Sequence, residues 1–275
     1  MRTLVHLSDL HFGDHDERTL EPLATLVASR KPDLVVVSGD LTQRARKRQF
    51  LLARAFLDTL PSPQVVVPGN HDIPLFDVVR RFGSPLGRYR ALIASDVEPF
   101  FVDGEIAVMG LDTARSLTWK SGRLSRRQLH DVRRRLEPLP EALTKIVVTH
   151  HPFDLPPGAD ESNLIKRAKR AMKVFVEAGA DVFLSGHLHV THVGATASRY
   201  RVQGRSALVI NAGTATSTRH RGELNSFNIL GFADETLTLE RYAWDPEGGA
   251  FLLHATHRYV HTETGWDAEG SPGAS

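Results

Sequence analysis

Apolar positions in this chain follow two rhythms. Runs at 4–7, 34–37 and 64–67 are short, aliphatic and without polar alternation, which predicts strands covered on both faces. Between them, 17–30 and 43–60 repeat apolar residues at three- and four-residue spacing, which predicts helices, the second stopped by Pro61. A helix-rich, irregular stretch is expected over 74–95. Strands resume at 106–109, 146–148 and 182–184. Ser125 is placed to cap a helix running to about Leu136, and a basic helix is expected over 164–178. Beyond Thr191 the pattern changes to successive β segments at 192–200, 205–211, 225–231, 236–243 and 251–261. Residues 266–275, with Gly270, Pro272 and Gly273, are expected to form a flexible tail.

This alternation gives an α/β fold class. Both halves repeat a strand followed by a polar loop, which predicts two mixed β-sheets packed face to face in a layered α/β/β/α sandwich. No linker or long repeat interrupts it, so 1–265 is expected to be one domain, β-rich from about residue 191.

Composition narrows the chemistry. The 275 residues contain no cysteine, which excludes disulfides, thiolate metal sites and thiol nucleophiles. Lys and Arg total 34 against 32 Asp and Glu, so the overall charge of +2 gives no reason to expect nucleic acid. The basic clusters around Arg44 to Arg48, Arg133 to Arg135 and Lys166 to Arg170 read first as solvated helix faces. No apolar run approaches the ~20 residues of a membrane helix, and the N-terminus enters a strand without a leader pattern. A cytoplasmic protein is the expectation. The 14 histidines are numerous and clustered, which points toward metal chemistry.

The histidines and carboxylates gather just after the buried strands. Ser8-Asp9-Leu10-His11 follows the first, Ser38-Gly39-Asp40 the second and Pro68-Gly69-Asn70-His71-Asp72 the third. Thr149-His150-His151-Pro152 and Ser185-Gly186-His187-Leu188-His189 follow two later strands. In open α/β sheets, sites form at the carboxyl ends of strands, so these groups can converge on one crevice. Carboxylate, amide oxygen and imidazole without thiolate suit a pair of divalent ions, with manganese or iron favoured and zinc compatible. Isolated histidines such as His130 or His254 read as structural.

The ordered set D-x-H, G-D, G-N-H-D, H and G-H-x-H resembles the calcineurin-like metallophosphoesterase superfamily over about residues 4–211. The resemblance implies that Asp9, His11 and His189 bind one metal, that Asn70, His150 and His187 bind the second, and that Asp40 bridges both. It implies that His71 faces the substrate, stabilising the transition state or protonating the leaving oxygen, with Asp72 orienting it. His150 and His151 compete for one ligand position, and the family pattern selects His150, leaving His151 to line the pocket. Two ions ~3.5–4 Å apart would lower the pKa of a shared water, and the bridging hydroxide would attack phosphorus in line. Two divalent ions against two carboxylates and a hydroxide leave a net positive charge, which attracts a phosphate anion.

The narrower resemblance is to bacterial class III cyclic nucleotide phosphodiesterases and related glycerophosphodiesterases. It rests on His6-Leu7-Ser8-Asp9-Leu10-His11-Phe12, on Gly39-Asp40-Leu41-Thr42 and on Val67 through Asp72. It implies a phosphodiesterase for a small phosphodiester, with 3′,5′-cyclic AMP as one candidate. A DNA-repair type nuclease and a broad phosphomonoesterase or glycerophosphodiesterase are the alternatives. His192, Arg219 and Arg221 are further candidates for substrate contact. A homodimer through the β-rich part is a further expectation.

Overall fold

The computed structural model describes residues 1–118, 120–200, 206–219 and 222–269. Its first sheet begins with β1 (Arg2–Leu7), β2 (Leu34–Val37) and β3 (Gln64–Val66), which run parallel. The antiparallel β10 (Ser226–Ala233), β11 (Thr236–Asp245), β12 (Ala250–Thr262) and β13 (Gly265–Ala268) extend it beyond β1, in the order β13-β12-β11-β10-β1-β2-β3. The second sheet has the order β4-β5-β6-β7-β9-β8, from β4 (Phe100–Val102), β5 (Ile106–Leu111), β6 (Thr144–Thr149), β7 (Val182–Ser185), β8 (His192–Ala195) and β9 (Leu208–Asn211). In it β5, β6, β7 and β9 are parallel.

Alternation along these strands divides the apolar residues among three cores. Leu4, Val36, Val67, Val108, Val148, Leu184, Ile210 and Leu230 pack between the sheets. The opposite face of the first sheet, with Val5, Val35 and Val37, packs on α1 (Leu20–Ser29), α2 (Lys47–Leu57) and α4 (Gly87–Leu92). Met109, Val147 and Phe183 of the second sheet pack under α5 (Arg126–Leu136) and α6 (Ala168–Glu177). The expected α/β/β/α layering with two mixed sheets is therefore present. Both central faces are apolar because each strand is covered twice, which is why these runs show no alternation in sequence.

Several element boundaries differ from expectation. The helix expected from Gln43 starts at Lys47, because Ala45 takes a left-handed φ of +50° that no helix accommodates. Likewise Arg167, at φ +68°, delays α6 to Ala168. Only half of 192–200 is strand; α7 (Thr196–Arg199) follows β8. Strand β4 was not anticipated, being three residues long and only partly buried. The tail expected from 266 begins as β13, where Trp266 is buried in the inter-sheet core. Ser125 caps α5 as expected, accepting from the Gln128 N–H at 3.2 Å. No helix among the described residues is long and apolar enough to cross a membrane.

Candidate metal centre

The loops after β1, β2, β3, β6 and β7 meet at one end of the sandwich. Hydrogen bonds between loops set their height. Asp9 N–H donates to the Gly39 carbonyl at 3.1 Å, His11 N–H to Asp40 at 2.9 Å, and Gly186 N–H to His150 at 3.1 Å. Thr214 and Thr216 hydroxyls donate to the carbonyls of Asp9 and Leu10 at 2.8 and 2.7 Å. The 214–217 stretch is thus a buried brace under the first loop.

Five site residues have left-handed backbone: Asp9 (φ 54°), His11 (50°), Asp40 (54°), His187 (72°) and His189 (59°). Each such conformation costs on the order of 1 kcal/mol for a non-glycine residue, so the loops must be held by their neighbours. Glycine at 69 has a spatial cause: a Cβ there would overlap the backbone nitrogen and carboxylate of Asp40.

Two groups of donors share Asp40. In the first, Asp9 Oδ1 lies 3.3 Å from His189 Nε2 and 3.5 Å from His11 Nε2, and those two nitrogens are 3.1 Å apart. In the second, His150 Nε2 is 3.1 Å from Asn70 Oδ1 and 3.3 Å from His187 Nδ1. Asp40 Oδ2 is 3.6 Å from His11 Nε2 and 3.3 Å from His150 Nε2, so one carboxylate oxygen faces both groups. All seven side chains expected as ligands come together here.

The cluster has the form of a cation site. His150 donates from Nδ1 to the Ser38 carbonyl at 2.8 Å and His189 from Nδ1 to Arg219 at 3.1 Å, which turns both Nε2 lone pairs inward. Asp9 Oδ1 is buried and has no hydrogen-bond donor, while Oδ2 takes Ser8 Oγ at 2.6 Å and His187 N–H at 2.9 Å. A buried anionic oxygen facing imidazole nitrogens at 3.3 and 3.5 Å suits a divalent ion. Asp9, His11 and His189 form one group able to hold an ion, and Asp9, Asp40 and His150 another.

Electrostatics of the bare cluster agree. Burial opposes ionisation of Asp9, yet the histidines, His189 foremost, hold its carboxyl well below the usual range. Asp40 is likewise held low against burial, by His150 and His71. Burial opposes the charged form of His150 too, but Asp40 and then Asp9 raise it to about 9. Burial and the neighbouring His150 push His187 down to about 3. Protons on some imidazoles thus balance the two carboxylates where divalent ions would.

His71 and Asp72 separate in role. His71 Nδ1 donates to the Gln43 carbonyl at 2.9 Å, not to Asp72. The expectation that Asp72 orients His71 is therefore corrected. Asp72 is buried and accepts from Leu41 N–H, Thr42 N–H, Thr42 hydroxyl and Gly69 N–H at 2.9–3.1 Å, clamping the loops after β2 and β3 together. Its first strand-end partner is thus backbone, because four donors satisfy a buried carboxylate better than one imidazole. His71 reaches the first group as well, with a ring nitrogen among the donors of His11 and Asp40.

Above the cluster opens a cleft of about 470 Å³, within the size range of small-ligand sites. Its walls include Asn70, His71, His187 and His189 with Arg44, Lys120 and Arg219. Arg219 was expected here; Arg44 and Lys120 were not. Arg44 stands four residues after Asp40, and that adjacency was the available signal. His151 does not line this cleft. It is fully buried and pairs through Nδ1 with the Thr113 hydroxyl at 2.8 Å, so its expected substrate contact is corrected. His192 is corrected too, its Nε2 being 3.0 Å from Asp154 in a separate groove. Arg221 lies outside the described residues. The basic residues of α6 line a groove that shares no residue with the cleft.

Packed mixed sheets thus carry a histidine–carboxylate cluster at their strand ends. The chain belongs to the calcineurin-like phosphoesterase family, whose model matches residues 2–191. Among curated proteins it is 28% identical over 142 residues to glycerophosphodiester phosphodiesterase GpdQ of Enterobacter lignolyticus, covering 44% of this chain and 51% of that one. A probable glycerophosphodiester phosphodiesterase GpdQ of Arcobacter nitrofigilis is 29% identical over 130 residues, covering 46% and 44%. The chain thus spans about half the length of these curated relatives. Among solved structures, purple acid phosphatase PPD1 of yellow lupin (Lupinus luteus) superposes with TM-score 0.70 at 12% identity, over 94% of this chain and 53% of that one. A dimetal phosphatase of Danio rerio gives 0.64 at 16%, over 86% and 95%. At these identities the two structures speak for the fold alone.

Proposed function

We infer that the protein hydrolyses phosphodiesters with two divalent ions held by Asp9, His11, Asp40, Asn70, His150, His187 and His189. The observation that carries this reading is Asp40 Oδ2, which faces histidine nitrogens of both donor groups beneath a cleft lined by cations. With oxygen and imidazole donors and no thiolate, manganese and iron suit the site best, and zinc is compatible. When bound, such ions make hydroxide accessible from water near neutral pH and neutralise phosphate charge.

The chain's own residues supply the rest. Arg44, Lys120 and Arg219 attract the anionic diester and bind its non-bridging oxygens. His71, with Nδ1 committed to the Gln43 carbonyl, presents only Nε2 for proton exchange. In hydrolysis the water oxygen bonds to phosphorus and releases a proton to solvent, the P–O bond to the alcohol breaks, and the departing oxygen takes a proton from His71, which solvent then restores. A diester is favoured because both curated relatives are named for diesters. Substrates within this class include glycerophosphodiesters and 3′,5′-cyclic AMP.

Manganese-loaded protein would be assayed on bis(p-nitrophenyl) phosphate, p-nitrophenyl phosphate, glycerophosphodiesters, 3′,5′-cyclic AMP and single-stranded DNA. Metal-dependent turnover with diester preferred over monoester is expected. Preference for the monoester, or turnover indifferent to metal, would sink the reading.

A further inference from the structure

One side of the cleft's rim is apolar and faces water. Phe76, Val79 and Phe82 are 77%, 83% and 58% exposed. Val79 and Phe82 lie three residues apart on α3 (Val78–Gly83), and Phe76 stands just before its N-cap Asp77. Leu117, 85% exposed, stands on a neighbouring loop. Arg81 joins the two pieces. Its side chain is buried, and its guanidinium donates to the carbonyls of Pro74, Ser116 and Thr118 at 3.0, 2.8 and 3.2 Å. The ridge is therefore fixed in place by hydrogen bonds at its base. It is continuous with the cleft, because Ile73 and Leu75 of the same segment line the cleft wall together with Arg81.

Aromatic and aliphatic side chains held in water on a braced ridge mark an interaction surface. What adjoins the ridge identifies the occupant. Arg44, Lys120 and Arg219 of the cleft would hold an anionic phosphate head, and the ridge beside them would hold an apolar tail. A second copy of the chain docked there would bring these cations toward their like, which is unfavourable. We propose that the protein acts on phosphodiesters bearing a long aliphatic chain, presented at a lipid surface, with the head in the cleft and the chain along Phe76, Val79, Phe82 and Leu117. This rests on the phosphodiesterase reading above.

The test uses a Phe76→Ser/Val79→Ser/Phe82→Ser variant, which alters exposed side chains only. Metal-loaded wild type and variant are compared on bis(p-nitrophenyl) phosphate and on glycerophosphodiesters of one headgroup with a short or a long alkyl chain. The wild type is expected to prefer the long chain about tenfold in kcat/KM, a gain that two buried methylenes would provide. The variant should lose that preference and keep its rate on the aryl diester. Wild type and not variant should sediment with phosphatidylglycerol vesicles. Equal kcat/KM for both chain lengths in the wild type overturns the proposal, as does a variant that loses self-association while its chain preference persists. No turnover of the aryl diester by the wild type overturns the phosphodiesterase reading itself, and this proposal with it.

Discussion

Asn70 and His71 are neighbours in sequence with different work to do. Asn70 Oδ1 faces His150 at 3.1 Å inside the second donor group, whereas His71 spends Nδ1 on a carbonyl and turns its ring to the cleft. Asn70→Ala is expected to lower bound metal and turnover together. His71→Ala is expected to keep both ions, by elemental analysis, while kcat falls about 10²–10⁴-fold, the usual worth of a positioned acid. Loss of metal in the His71 variant would make it a ligand instead, an option its nearness to His11 and Asp40 leaves geometrically open. Asp112, at the end of β5, offers a separate test of residue-scale electrostatics. Burial raises its carboxyl to about 6, with Arg115 pulling the other way. Below pH ~4 the group is protonated in both folded and unfolded chains and costs nothing. Between ~4 and ~6 the folded chain binds the extra proton, so stability falls as pH rises, by on the order of 2–3 kcal/mol at the end of that window. Asp112→Asn should flatten that part of the stability–pH curve in urea titrations; an unchanged slope would show that Asp112 ionises normally.

At the scale of elements, strands carry the loops and the loops carry the chemistry. The strand runs were readable because double coverage favours apolar residues on both faces of each strand. The helix starts were not, since Ala45 and Arg167 interrupt a helical pattern with left-handed backbone that only the folded loops impose. The ligand-bearing loops were legible as motifs, yet their support was not. Asp72 appeared beside His71 in sequence and was read as its partner, while in the fold it clamps two loops through four donors. Close approach of those loops is what residue 69 must allow. Gly69→Ala would place a methyl group against Asp40, so metal content should drop at least as far as in Asn70→Ala, with circular dichroism near that of wild type. Full metal loading in that variant would show that the loop after β3 can retreat without loss.

For the whole molecule, the cluster brings together residues from two sheets, with Asp9, Asp40 and Asn70 on loops of one and His150, His187 and His189 on loops of the other. Ions bound there tie the sheets and stabilise the folded chain by mass action, about 2.7 kcal/mol at a free-metal concentration of 100 Kd. Chelation is therefore expected to lower Tm by about 5–10 °C and added manganese to restore it, read by calorimetry. An unchanged Tm would mean the loops are held by their hydrogen bonds alone. The amino-acid sequence by itself determined the layered α/β class and the residue types of the site, because strand coverage and ligand chemistry both depend on side chains that can be read locally. Only the tertiary structure decided which candidates face the cleft. It turned His151 toward Thr113, gave His192 to Asp154, and put Arg44 and Lys120 at the rim. Those outcomes depend on which loops become neighbours, and adjacency across tens of residues is set by sheet order and packing, to which a local pattern has no access.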